Sequence, residues 1–152
     1  MLQIIEQKLE YIKKGTKKNS DMNKKQIENL LKLTELERYN YFIRYCADFN
    51  EVWGLTVEGE DNWVIFKTSN SGDVFPLWPH KDLALECMFQ EHRDMGAVPE
   101  SIPLEIFLEE CVKDMEEDNV CFGVFYDLNR EGLCVKPDAI KQDFDLEIQE
   151  YE

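Results

Sequence analysis

Apolar residues at helical spacing open the chain, with Leu2, Ile5, Leu9 and Ile12 recurring every three or four positions until Gly15 interrupts them. The stretch from Lys13 to Lys25 contains six lysines with Asn, Ser and Thr among them, a composition suited to a solvated connection. The pattern predicts an N-terminal amphipathic, basic appendage and linker over residues 1–21, followed by a single domain over 22–152. Ile27, Leu30 and Leu31 mark the first helix of that domain. Thr34 then stands three residues before Glu37, the spacing at which each side chain can satisfy the other residue's free N–H. The helix so opened should bury Leu36, Tyr39, Ile43 and Cys46, with Phe42 and Phe49 beside them. Arg38, Tyr41, Arg44 and Tyr45 should form an outward band.

The period then changes to two. Trp53, Leu55 and Val57 alternate in one strand, Val64 and Phe66 in the next, and the turn Glu58–Asn62 suits a hairpin. A second turn at Ser69–Asp73 leads to a third strand, Val74–Trp78. Pro76 cannot donate to a ladder, so this strand is expected at a sheet edge or cut short. Leu83, Ala84, Cys87 and Met88 form the stripe of a helix starting near His80. Leu104, Phe107, Leu108, Cys111, Val112 and Met115 keep a strict three–four spacing behind Pro103, which fits a first helical position. Val120, Phe122, Val124 and Tyr126 alternate again, with Leu133–Lys136 as the returning strand. Pro137 opens a last helix with Ile140, Phe144, Ile148 and Tyr151 on its inner face. The order ααβββααββα predicts an α+β domain built on a mainly antiparallel five-stranded sheet packed by helices.

Charge adds a direction to this picture. The 152 residues carry a formal charge of −15. Residues 1–46 hold ten Lys/Arg and six Asp/Glu, a net of +4, whereas residues 47–152 are at −19. Such a body repels polyanions, so neither nucleic acid nor an anionic membrane surface is an expected partner. The five cysteines are odd in number, form no CxxC pair and sit in apolar patterns, which predicts buried free thiols in a reducing cytoplasm. Glu6 and Lys8 interrupt the opening apolar residues before a signal-peptide core can form.

A set of short motifs runs through these elements: Glu37-Arg38-Tyr39 into Tyr41-Phe42-Ile43, Val52-Trp53-Gly54-Leu55, Pro76-Leu77-Trp78-Pro79-His80 with Ala84, and Leu104 to Leu108. Together they resemble the bacterial family known as domain of unknown function 2750, over about residues 23–151. The resemblance implies a small bacterial single-domain protein and brings no activity or catalytic residue with it.

Few residues combine into chemistry. Asp127, Asn129, Glu131, Gly132 and Asp138 match positions of a calcium-binding loop, but a strand precedes them where an entering helix is required, and Pro137 lies inside the loop. An ordinary polar turn is the expectation. His80, Cys87 and His92 are the nearest soft donors. Cys87 and His92 diverge by about 140° at 100° per helical residue, so no zinc set converges and no metal or cofactor is expected. No catalytic residues emerge, because no nucleophile elbow or phosphate loop is present.

The best candidate for a binding surface is the junction Pro76–Lys81. It sets Trp78, His80 and Lys81 between a strand and a helix, with Arg38 and Tyr41 as a secondary patch. Two readings follow. One is a non-enzymatic protein-binding module whose acidic surface engages a basic protein partner, with small immunity-type inhibitors as an analogy. The alternative is a small-molecule-binding or enzymatic domain with a pocket near Trp78 and His80.

Overall fold

Two reciprocal caps start the first two helices. In the computed structural model, which describes residues 20–150, the Asn23 side chain accepts from the Gln26 amide while the Gln26 side chain accepts from the Asn23 amide, opening α1 (Lys24–Leu31). Thr34 and Glu37 do the same for α2 (Glu35–Phe49), as the sequence spacing predicts. The expected helical appendage lies almost wholly outside the described residues, as does Tyr151. Asn50, left-handed at φ 58°, ends α2 and turns the chain directly into β1 (Glu51–Val57).

The strands do not form one five-stranded sheet. β1 pairs antiparallel with β4 (Ala97–Pro103) as a two-stranded ribbon. A separate four-stranded sheet has the order β2 (Phe66–Thr68), β3 (Gly72–Leu77), β5 (Cys121–Val124), β6 (Leu133–Val135). β3 and β5 run parallel, and the other two pairings are antiparallel. The 43 residues from Trp78 to Val120 that connect this pair carry helices, as a parallel crossover requires. The anticipated hairpin between β1 and the next strand shrinks to a single bridge, Thr56 with Trp63, plus a bond from the Val64 amide to the Leu55 carbonyl. A second bridge, in which Trp53 and Trp78 exchange both backbone bonds, ties the ribbon to β3.

β3 is also not an edge strand. The β2 ladder ends at Val74 opposite Phe66, so Pro76 stands beyond it and its missing N–H forfeits no bond to β2. β4 was not anticipated: Pro99 lies inside it, and Pro103, its last residue, reads in the sequence as the first position of a helix. They fall opposite Leu55 and Glu51. The Leu55 carbonyl turns away from β4 to the Val64 amide, so Leu55 and Pro99 are a non-hydrogen-bonded pair and the proline nitrogen faces outward.

After β3 come α3 (Lys81–Cys87) and the short α4 (Gln90–Asp94), then β4. The next helix, α5, begins as Leu104–Ile106, widens into a π-helical turn over Phe107–Cys111 and ends as Val112–Glu117. The regular spacing in sequence hides this turn. Pro103 is the last residue of β4 and caps the helix rather than occupying its first position. α6 (Pro137–Gln149) closes the fold. Six helices and two sheets thus surround one core among the described residues, and the fold is α+β. Phe107 and Phe75 pack on Phe122 at 5.0 and 5.5 Å between ring centroids, and Phe42 meets Phe144 at 5.8 Å. Gly54 is required here: a Cβ would lie 2.9 Å from the Trp63 ring, which tilts onto Phe75.

Three side chains depart from the sequence pattern. Leu36, expected inside, is 60% exposed. Arg38, expected in an outward band, is 3% exposed. Cys134, expected to be buried, is exposed, whereas Cys46 and Cys87 are buried; all five cysteines are free thiols.

Candidate functional site

The Pro76–Lys81 junction is built by bonds that consume its polar groups. The Trp78 indole N–H donates to the Tyr126 carbonyl at 3.0 Å, and the side chain is fully buried. His80 is the N-cap of α3: its Nδ1 accepts from the Asp82 amide at 3.0 Å, which leaves the proton on Nε2. That Nε2 donates to the Ser20 carbonyl at 2.9 Å. The Asp82 carboxylate accepts from the Met22 amide at 2.9 Å and lies 3.6 Å from His80 Nδ1. Lys81, exposed, pairs with Asp21 at 3.3 Å. The junction therefore grips Ser20, Asp21 and Met22, and both ring nitrogens of His80 are already engaged.

Arg38 belongs elsewhere. Its Nε donates to the Phe125 carbonyl at 3.0 Å, Nη1 to Leu33 at 2.7 Å and Nη2 to Glu131 at 2.9 Å. It also faces Asp127 at 3.7 Å. Asp127 in turn accepts from the amides of Asn129 and Glu131. The stretch that resembles a calcium loop is thus a turn held by an arginine, with its first carboxylate satisfied by backbone and cation. No group of three or more potential ligands converges on a metal-sized site among the described residues.

Tyr41 and Tyr45, from the same helix, do reach a groove. Their rings stack at 5.3 Å between centroids, and Tyr45 continues onto Phe49 at 4.5 Å and edge-on to His80 at 6.3 Å. This aromatic ladder floors a groove of about 430 Å³ between α1 and α2, walled by Leu30 and Met22 and rimmed by Ser20 and Asp21. Trp78 and His80 are not among its lining residues. Burial pushes the Tyr41 hydroxyl up to about 12. The residues predicted from sequence therefore divide: His80 and Lys81, with Asp82, clamp residues 20–22, Trp78 is buried with its indole on Tyr126, Tyr41 lines a groove, and Arg38 holds a distant turn. Phe49 and Met22 were missed; the four-residue spacing of Tyr41, Tyr45 and Phe49 was the available signal.

Thiol chemistry finds little help. Burial pushes Cys87 and Cys111 up to about 12 and Cys46 higher than an ordinary thiol, so these stay protonated. His92 is buried between Phe89 and Phe66, with ring centroids at 5.3 and 5.9 Å. Burial, more than the neighbouring Arg130, lowers its pKa, and its Nδ1 has no hydrogen-bond partner. Arg130 covers Phe89 at 3.7 Å and binds Glu91 at 2.7 Å, pulling that carboxyl down to about 2.

A second groove, of about 470 Å³, runs between α5 and α6. Leu108 and Val112 form its floor, and Glu105, Glu109, Glu116 and Asp145 share its walls with Lys113 and Lys141. Lys141 is bound to Asp145 at 2.8 Å.

Fold and grooves together define a small α+β domain with an acidic helical face and an aromatic cleft. A family model described as protein of unknown function (DUF2750) matches residues 39–144, and the chain belongs to that family. No curated protein and no solved structure matches the chain.

Proposed function

We propose that the protein is a non-enzymatic binding module that engages a basic protein partner through the acidic face of α5 and α6. The observation that carries this reading is the α5–α6 groove, where an apolar floor is bordered by an excess of carboxylates. A basic amphipathic segment satisfies both features at once: its aliphatic residues cover Leu108 and Val112, and its lysines or arginines meet the walls. The field around such a face accelerates encounter and rejects acidic competitors. The engagement of both His80 nitrogens and the burial of Trp78 favour this reading over a catalytic pocket at the junction.

The test is binding of cellular proteins to the immobilised chain at low and at moderate salt, beside the double variant Glu109→Lys/Glu116→Lys. A partner retained at low salt, weakened by salt and lost with the variant is the expected result. Equal retention by the variant, or no retained protein at low salt, overturns the proposal.

A further inference from the structure

The aromatic groove between α1 and α2 begins where the described chain begins. Ser20 and Asp21 stand on its rim. They are fixed there by the His80 Nε2–H on the Ser20 carbonyl and by Lys81 on Asp21, while Asp82 holds the Met22 amide. The chain thus leaves a clamped point directly beside a cleft floored by Tyr41, Tyr45 and Phe49. Upstream, Leu2, Ile5, Leu9 and Ile12 repeat at helical spacing, an apolar stripe with no counterpart assigned to it.

We propose that this groove is the seat of the chain's own residues 1–12, whose apolar stripe covers the Tyr41–Tyr45–Phe49 ladder. Reach supports it. Residues 13–19 separate Ile12 from the clamp, and seven residues extend no further than about 25 Å, so the stripe is confined to the neighbourhood of the groove mouth. Tethering over so short a span raises the effective concentration to the millimolar range, so even a weak intrinsic affinity keeps the segment seated. The occupant is thereby distinguished from an independent partner, which would have to bind without that advantage. The surface is separate from the α5–α6 face, so the two proposals stand or fall independently.

The experiment is backbone hydrogen exchange, read by mass spectrometry on the full chain and on Ile5→Asp/Leu9→Asp, with the mass in solution measured by light scattering. The expected result is exchange over residues 2–12 slowed at least about tenfold in a monomer, with the protection lost in the double variant. In that variant Tyr41 and Tyr45 should also become several-fold more reactive to nitration while α2 stays protected. These substitutions lie outside the described core, and protection of α2 reports that the domain is folded. A Tyr45→Ala variant should release the segment from the other side, whereas Tyr45→Phe should retain it. Unprotected residues 2–12 in the unmodified chain overturn the proposal, as does protection that survives Ile5→Asp/Leu9→Asp. A dimer with the same protection assigns the groove to the segment of a second copy and overturns the intrachain reading.

Discussion

Arg38 spreads one guanidinium over three backbone carbonyls and a carboxylate, so it organises the turn after β5 from a position five residues beyond Leu33. A lysine offers a single nitrogen and cannot fork across carbonyls from Leu33, Phe125 and Glu131. Arg38→Met leaves Asp127 buried without its cation and should cost about 3–5 kcal/mol, measured by urea unfolding. Arg38→Lys should lose most of the same stability. His92 works by pH. Its folded-state pKa lies below the ordinary value near 6.5, so below that pH the unfolded chain binds the extra proton and the folded state loses stability as acid is added. His92→Phe should flatten the slope of stability against pH below about 6.5, checked by urea titrations across that range, since Phe keeps the stack on Phe89 and removes the unpartnered nitrogen.

At the level of elements, the Thr34–Glu37 cap is an isolated contribution. Thr34→Ala should destabilise the protein by about 1 kcal/mol without moving the core, read from the shift in urea midpoint. Gly123 is tighter, because a Cβ there would lie 2.6 Å from the Val74 side chain and 2.8 Å from the Tyr126 ring. Gly123→Ala should cost about 1–3 kcal/mol, read by urea unfolding, through overpacking where β5 pairs with β3. These elements also show what was legible in advance. Caps, the β5–β6 hairpin and most helices were readable because neighbours in sequence supply their partners. The parallel β3–β5 pair and the ribbon of β1 with β4 were not, since their partners lie 40 or more residues apart and alternation says nothing of direction. Arg38 misled for the same reason: its carbonyl partners beyond residue 120 leave no mark on the pattern of its own helix. Within the candidate site, Trp78 and His80 stood out as unusual residue types, but Tyr126 anchors the buried indole and Ser20 takes the imidazole proton, partners that the local sequence does not show.

Across the whole molecule, the described residues share one hydrophobic core, and the Trp53–Trp78 bridge joins the ribbon to the end of β3 in the larger sheet. Among them, no helix is long and apolar enough to cross a membrane. Part of the acidity of residues 47–152 gathers on one helical face, where Glu105, Glu109, Glu116 and Asp145 border the α5–α6 groove. The outward prolines of β4 have a further consequence at this scale. A sheet edge with a full row of N–H groups is a template on which another chain can add a strand. The β1–β4 ribbon interrupts that row at Pro99 and Pro103, and the larger sheet ends on β2 and β6, each only three residues long. Pro99→Thr restores one outward N–H without touching the ladder to β1. It should leave the unfolding midpoint nearly unchanged while shortening the lag before aggregation in concentrated solution, followed by light scattering. Pro99 and Pro103 thus take two donors out of the outward row of β4, and a strand arriving there from another molecule would find those positions silent.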